Sequence, residues 1–433
     1  MPTLREIMHD EMDHFGRRMR GLAMISRGIV PNLVISQRMV DRVVEAAKHF
    51  LADETGETMV GLVVPAAQTP EAMPTLYIID TIAPDETVIR RSHMFEQGDE
   101  LQQDIFFWLS DNWATYLDIG RDMKGRSIKP EWKQPLRHMG DWHKQPGYMI
   151  QPSGGDLMTA LRFMEDDEND FEFLLVPIVT LGHDSVTSED GLMVNYFTVP
   201  LADGTSLRMD WWYIHRDSRF FQPITPQVAP EKDMPHLTPY PWHILDSELV
   251  NDELDMLELA GYLRIGDFVL WNTDDDLPLE ICLIIGRSGT SQVYLVVTDW
   301  DYPKGAPRIF ISEFKGIDPS MYIYKIWEHL WTTRKDAPKL PNFKWTDETF
   351  VVDMIKAIEV ALGMAHPTPA PPVVVAKPTA PTDKPMFTQA KPTAPKPKPV
   401  SSGSIKIPIK VDGKVAKSSD KDDDDNSHAA KDD

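Results

Sequence analysis

The sequence has almost no cysteine and no long apolar run. Its one cysteine, Cys282, cannot form a disulfide within the chain. No apolar stretch approaches the roughly 20 residues that a membrane-spanning helix needs. No basic segment followed by an apolar core and a small-residue cleavage site marks a secretory signal. We therefore expect a soluble, cytoplasmic protein with no membrane partner.

Positive charge is also scarce. Lys and Arg number 44 against 67 Asp and Glu, so the formal net charge is −23 at pH 7. Such a surface repels phosphate backbones, which argues against nucleic acid as a partner unless basic residues cluster locally. A neutral or basic protein partner suits this acidic surface better.

Length and shifts in composition predict several units. A chain of 433 residues exceeds one typical domain and has room for more than one hydrophobic core. The alternation of helical and strand-like patterns predicts an α+β fold class. The predicted units are an N-terminal helix at 1–29, an α+β domain at 30–225, a Pro-rich connector at 226–244, a second, smaller α+β domain at 245–365, and a disordered Pro/Lys-rich linker with an acidic tail at 366–433.

The C-terminal unit is rich in Pro, Ala, Lys and Thr, and "AKPTAP" occurs in it at Ala376 and again at Ala390. Such a segment buries too little apolar surface to order itself. The run "SIKIPIKV" at 404–411 is either a sticky part of this tail or a strand that adds to a partner's sheet. The final charge run, like the acidic surface, is a place where other proteins could bind.

Periodicity predicts the elements of the first domain. "SQRMVDRVVEAAKHFLAD" has Ser36 as a plausible N-cap and apolar Val40, Val43 and Ala47 at helical spacing, and "TMVGLVVP" follows as a strand. "PLRHMGDWH" predicts a strand that ends at His143, and "SGGDLMTALRFMED" predicts a helix. Three more strand-like runs are "FEFLLVPIVTLG", "GLMVNYFTVP" and "SLRMDWWYIHR".

The second domain is predicted as a helix, an antiparallel meander and a helix. The first helix is "DSELVNDELDMLELAGYL" and the last is "TDETFVVDMIKAIEVALGM". The meander consists of "EICLIIG", "SQVYLVVTDW" and "RIFISEF".

The stretch "GDWHKQPGYMIQPSGGDLMTA" carries the most specific chemical signal. A catalytic zinc site needs three protein ligands, an open position for water and a separate base. His143 and residue 145 could both face one ion from a bent strand end, and Asp156 in the first turn of the next helix could complete the set. Ser153 could cap that helix and orient the water or the developing oxyanion.

This stretch resembles the JAMM (MPN or JAB) metallopeptidase motif, H-x-H-P-x6-S-x-x-D with an upstream Glu. "ETGETMVGLVV" resembles the family's upstream junction, which implies Glu54 as general base with Gly61 as the later glycine, and Glu57 as the alternative base. The resemblance covers about 35–225. It implies an MPN/JAB-like (cytidine-deaminase-like) mixed sheet flanked by helices, Zn2+ as cofactor, and peptidase or isopeptidase activity.

The departure from the motif is Gln145, which stands where the family has a second histidine. An amide oxygen is a poorer zinc donor than imidazole, so we expect weaker metal binding. In one hypothesis Gln145 is a weak third ligand, or His138 or His93 replaces it. In the other, zinc is lost and the domain is a non-catalytic binding module. By capping alone, Ser153 and Asp156 also make a good helix N-terminus, and His143 could be a core residue.

In the second domain, "DYPKGAPRIF" is similar to the Y-P-x-x-P signature of ubiquitin-conjugating enzymes and their inactive RWD relatives, through Tyr302, Pro303 and Pro307. Two prolines that stiffen a hairpin explain the pattern equally well. The resemblance implies no activity for this domain, because Cys282 precedes the Tyr-Pro turn and is expected in the core. Together the two resemblances imply a ubiquitin-like protein or its conjugates as the partner.

Three hypotheses remain open. The first is a zinc-dependent peptidase or isopeptidase, with His143, Asp156 and Gln145 on the metal, Glu54 as base and Ser153 assisting the oxyanion. The second is a non-catalytic scaffold of the same fold. The third is an unrelated α+β protein whose helix cap imitates the motif.

Overall fold

The computed structural model describes residues 30–66, 73–97, 100–122, 125–166, 171–184, 194–274 and 276–364. The helix predicted at 1–29 and the tail predicted at 366–433, including the run at 404–411, lie outside the described residues.

The described chain contains two large sheets and seven α-helices. The strands are β1 Asn32–Ser36, β2 Thr55–Val64, β3 Thr75–Ile82, β4 Ile89–Arg91, β5 Met94–Glu96, β6 Arg137–Lys144, β7 Phe173–Leu175, β8 Ile178–His183, β9 Tyr196–Pro200, β10 Ser206–Asp210, β11 Trp212–His215, β12 Gln222–Pro223, β13 Pro226–Ala229, β14 Tyr262–Arg264, β15 Val269–Trp271, β16 Glu280–Arg287, β17 Gln292–Thr298, β18 Arg308–Glu313 and β19 Lys335–Asp336. The helices are α1 Gln37–His49, α2 Glu100–Ile119, α3 Gly154–Glu165, α4 Trp242–Leu245, α5 Ser247–Leu259, α6 Ile323–Thr332 and α7 Val351–Ala361. This content confirms the α+β class.

Eleven of the described strands form the first sheet, and the sheet is mixed. Its main path runs β12-β11-β7-β6-β2-β3-β1-β13, with β8, β10 and β9 branching from β6. Strand β2 is antiparallel to both β3 and β6, whereas β6 is parallel to β7 and β8. The centre of the main path is therefore formed by β2, which directly follows Glu54, and β6, which contains His143.

Helix α1 forms as its sequence predicts. The Ser36 side chain accepts a hydrogen bond from Met39 N at 3.2 Å, and its hydroxyl donates to Ile79 O of β3 at 2.6 Å. Met39, Val40, Val43 and Ala47 are buried. Ser36 is thus the N-cap, which stabilises a helix by about 1 kcal/mol, and it also attaches the helix to the sheet.

Two of the predicted strand-like runs break where the backbone changes partner. Residues 173–183 form two strands, β7 and β8, with Pro177 between them, because proline has no N–H for a ladder. Residues 206–215 divide at Trp211 into β10 and β11. The first break lets β6 pair with β7 at Gly140 and then with β8 at His143 and Lys144. The sheet therefore forks at the strand that ends in the motif.

The second sheet contains the predicted meander. Strands β16, β17 and β18 are antiparallel neighbours. One face packs against α6 and includes Cys282, which is fully buried, as expected of a core residue. The other face packs against α5 and α7. The resemblance of this part to the ubiquitin-conjugating fold stays a prediction.

One hydrophobic cluster runs through both predicted domains. It joins Val60 and Trp108 to Tyr294 and Ile355. The Trp108 indole donates to Pro239 O at 2.9 Å, and Leu279 N donates to Asn112 Oδ1 at 2.8 Å. The predicted connector also starts inside the first sheet, because β13 pairs with β1. The division into two domains stays a prediction, but these two parts share a core.

None of the helices in the described ranges is long and apolar enough to cross a bilayer.

A buried polar group lies between β2, β3 and α1. Glu57 is 7% exposed and Asp80 is 6% exposed. Arg42 forms an ion pair with Asp80 at 3.1 Å and also donates to Thr81 O. Burial raises the pKa of Glu57 to about 7. Hydrogen bonds from Thr81 and Trp142 and the charge of Arg42 lower this pKa, but burial has the larger effect. The Glu57 carboxyl is therefore more easily protonated in the folded chain than in the unfolded one.

We predict that this carboxyl makes stability fall with rising pH. Its pKa is about 7 when folded and 4.5 unperturbed, so its contribution is full below about pH 4.5 and lost as pH rises through 7. Glu57→Gln should raise the free energy of unfolding at pH 8 by up to about 3 kcal/mol and change it little at pH 4.5. Denaturant titrations at both pH values measure this. Exposed Glu45→Gln is the control, and an equal effect of Glu57→Gln at both pH values would contradict the prediction.

Candidate functional site

The register of β2 against β6 decides which carboxylates can face His143. Gly56 pairs with His143, and Glu57 pairs with Trp142. Because neighbouring side chains on a strand point to opposite faces, Glu57 and His143 lie on opposite faces of the sheet. Glu57, the alternative general base, is therefore not part of this site. A Cβ at Gly56 would lie 2.3 Å from Trp142 O, so only glycine fits opposite His143.

Helix α3 begins beside His143 because of a capping box. Asp156 N donates to Ser153 Oγ at 3.2 Å, and Ser153 N donates to Asp156 Oδ2 at 2.5 Å. Ala160 and Met164 pack the helix against β7 and β11. The other carboxylate oxygen, Asp156 Oδ1, lies 3.5 Å from His143 Nε2. Ser153 and Asp156 therefore cap the helix and also present a carboxylate to His143.

Gln145 completes the group around His143. Its backbone N donates to Val179 O of β8 at 2.9 Å, and its side-chain Nε2 lies 3.1 Å from His143 Nε2. The residue is 6% exposed, and its Oε1 atom is buried with no hydrogen-bond partner among the described residues. The predicted residues His143, Gln145 and Asp156 thus come together, and the amide is the least satisfied member.

Glu54 lies just before β2 and is half-buried. Its backbone N donates to Arg91 O at 2.8 Å. Burial raises the pKa of Glu54, and the negative charge of Asp156 raises it further, while His93 and Lys144 lower it. Glu54 is therefore within electrostatic reach of Asp156. A raised pKa makes a carboxylate a better proton acceptor than an unperturbed one.

Burial lowers the pKa of His143, with Asp156 and Asp141 acting in the opposite direction. The imidazole therefore tends to stay neutral. A neutral imidazole has one nitrogen lone pair free to bind a cation or to accept a hydrogen bond.

Lys144 is a residue whose role the sequence did not reveal. It points away from His143, is only 1% exposed, and donates from Nζ to Leu51 O at 3.0 Å. That carbonyl belongs to the turn that leads into Glu54. Strand alternation predicts the face on which Lys144 lies, but no sequence signal distinguishes a buried lysine from a solvated one. The Lys144 hydrogen bond therefore connects the end of β6 to the segment that contains Glu54.

The alternative histidine ligands have other partners. His138 Nε2 lies 3.2 Å from Asp141 Oδ1, and the ring packs against Phe163 and Phe171. His93 lies in the turn between β4 and β5, where its Nδ1 is 3.0 Å from Ser92 Oγ. In the described ranges, neither forms a hydrogen bond or an ion pair with His143 or Asp156.

The donor set fits a divalent cation only if the amide takes part. Within the described ranges, no group of three His, Cys, Asp or Glu side chains is placed to hold a metal ion. His143 and Asp156 offer one nitrogen and one oxygen, and the buried, unpartnered oxygen of Gln145 is the third donor at hand. These three residues would hold the ion, and Glu54 interacts electrostatically with Asp156.

No known protein family and no curated protein matches this chain. Among solved structures, the chain is similar to a JAB1/MPN domain protein from Archaeoglobus fulgidus. The two are 12% identical, the match covers 45% of this chain and 98% of that protein, and the TM-score is 0.19. A TM-score this low supports no argument about fold or function, so what the site does has to be argued from its own residues.

Proposed function

We propose that residues 30–225 form an MPN/JAB-like domain with a JAMM-type metallopeptidase site. The proposed reaction is hydrolysis at the C-terminal glycine tail of a ubiquitin-like protein or of its conjugates. The observation that carries the proposal is the convergence on His143 Nε2, with Asp156 Oδ1 at 3.5 Å and the Gln145 amide at 3.1 Å. The motif spacing predicted these residues as one site.

Each residue has a chemical role that its surroundings suit. A zinc ion bound here would polarise the scissile carbonyl and acidify a water molecule. Neutral His143, the Oδ1 atom of Asp156 and the Gln145 amide oxygen would hold the ion, and Glu54 would accept the proton of the water and return it to the leaving amine. Ser153 Oγ accepts from Asp156 N, which leaves its own proton available for a developing oxyanion.

A ubiquitin-like substrate rests on the two sequence resemblances. The JAMM-like motif and the Tyr302-Pro303 signature both resemble motifs of proteins that act on ubiquitin-like modifiers. In this chain the two parts share one hydrophobic cluster, which supports a joint role for them.

A second candidate function is a non-catalytic binding module of the same fold. Gln145 favours it, because the amide stands where the motif has the second imidazole, and loss of such a ligand weakens metal binding. In that case the ubiquitin-like protein would bind without being cleaved.

Glu54→Gln tests the enzyme proposal. The substitution keeps size and polarity but removes the proton acceptor, so hydrolysis should fall about 10²- to 10⁴-fold with metal content unchanged. The assay is release of a fluorophore from an amide on the C-terminal glycine of a ubiquitin-like protein, with bound metal measured on the same samples.

Glu57→Gln is the matched control, because Glu57 lies on the opposite face of β2, and it should keep full activity. A metal-loaded wild-type chain without hydrolysis would contradict the enzyme proposal and leave the binding module. Equal activity of Glu54→Gln and wild type would remove Glu54 from the mechanism.

Lys144→Met tests how Glu54 is positioned. Methionine is similar in length to lysine but cannot donate to Leu51 O. The turn before Glu54 should therefore be held less firmly in place. We expect kcat to fall at least about tenfold, since displacement of a catalytic group by about 1 Å can cost 10²-fold. Cation affinity should remain unchanged because His143, Gln145 and Asp156 are unaltered.

The measurements for Lys144→Met are kcat and the dissociation constant for Zn2+, with the midpoint of thermal unfolding as a check on folding. Loss of cation binding together with kcat would mean that Lys144 supports the whole end of β6 rather than Glu54. An unchanged kcat would mean that the Leu51 turn does not control Glu54.

A further inference from the structure

We infer that Gln145 makes the candidate site at His143 and Asp156 an oxygen-rich cation site that binds a hard divalent ion of the Mn2+ class. Such a site has lost most of the preference for Zn2+ that a site with two imidazoles and one carboxylate has. The inference rests on the proposed function, since it concerns the cofactor of the same site. It concerns the His143, Gln145 and Asp156 side chains alone.

The first argument is the state of the Gln145 amide. The side chain is 6% exposed, and within the part of the chain that the structure describes its Oε1 atom is buried without a hydrogen-bond partner. A buried polar atom without a partner costs about 1–3 kcal/mol. Turned towards the imidazole and the carboxylate, this oxygen would gain a bound cation as its partner.

The second argument is distance. Two ligands of one ion with bonds of about 2.1 Å are separated by about 3.0 Å at a right angle and about 3.4 Å at the tetrahedral angle. Asp156 Oδ1 is 3.5 Å from His143 Nε2, and the amide nitrogen of Gln145 is 3.1 Å from the same atom. A half-turn of the amide would put Oε1 where Nε2 is, because the two ends have nearly the same shape. After that half-turn, both separations from His143 Nε2 would match those of neighbouring ligands on one ion.

The third argument is donor chemistry. A site with two imidazoles and one carboxylate has a nitrogen majority, which suits Zn2+. Here the set is one imidazole nitrogen, one carboxylate oxygen and one amide oxygen. Carboxylate and carbonyl oxygens suit Mg2+, Ca2+ and Mn2+, whereas an imidazole favours transition metals. One nitrogen with an oxygen majority therefore points to Mn2+ among the hard divalent ions.

The test measures binding and requires no activity. The full chain is freed of metal and titrated separately with Zn2+, by competition with a chelator, and with Mn2+, by the loss of the free-ion electron paramagnetic resonance signal. Gln145→His should raise Zn2+ affinity at least about tenfold, the size of effect seen when a supporting ligand interaction is gained or lost, and raise Mn2+ affinity by less. Gln145→Met, which has similar length and no oxygen, should lose at least about tenfold in Mn2+ affinity.

Gln151→His is the matched control, because it adds an imidazole at an exposed position of the loop that follows Gln145, and it should change neither affinity. Thermal unfolding of each variant checks folding. The inference is overturned if Gln145→His raises both affinities equally or neither, if Gln145→Met keeps Mn2+, or if the wild-type chain binds neither ion. The proposed function fails separately, when wild-type chain loaded with either metal hydrolyses nothing.

Discussion

The close approach of Gly140 to Leu175 determines where the candidate site lies. A Cβ at position 140 would be 2.0 Å from Leu175 O, and the φ of Gly140 is 117°, a conformation that favours glycine. At this point the register between β2 and β6 shifts, and β6 pairs first with β7 and then with β8. The last residues of β6 are therefore held on both sides. The backbone N–H groups of His143 and Gln145 donate to Pro177 O and Val179 O, which fixes the backbone of both residues.

Asp156 performs two tasks with two oxygen atoms. Oδ2 accepts from Ser153 N and so stabilises the N-terminus of α3, and Oδ1 faces His143. Helix capping and the candidate cation site are thus compatible uses of one carboxylate. The cap also keeps the carboxylate in one rotamer, so little side-chain entropy is lost when a cation binds. The feature that looks like ordinary helix chemistry is part of what positions the donor.

Local patterns in the sequence predicted the local elements well. Ser36 caps α1, Ser153 and Asp156 cap α3, and Cys282 lies in the core, because capping and alternation depend on residues close in sequence. The motif spacing also predicted that His143, Gln145 and Asp156 would meet. These are the parts of the fold that short-range rules control.

The remaining features depend on contacts between distant segments. Glu57 was an alternative base from sequence, and only the register against β6 assigns it to the other face. The break at Pro177 and the burial of Lys144 follow from where β8 and the Leu51 turn lie. The shared hydrophobic cluster likewise cannot be predicted from local sequence. The apolar pattern of a strand is the same whether it packs against its own domain or against the next one.

Gln145 is a residue for which both the local motif spacing and the contacts between distant segments matter. If the site served only as a helix cap, an apolar side chain at this 6% exposed position would avoid the cost of a buried amide oxygen without a partner. The backbone N of Gln145 instead donates to Val179 O, and the side-chain Nε2 lies against His143 Nε2. One end of the amide is therefore directed at the imidazole rather than at solvent. The proposed cation would give this buried oxygen a partner, whereas the helix cap formed by Ser153 and Asp156 does not.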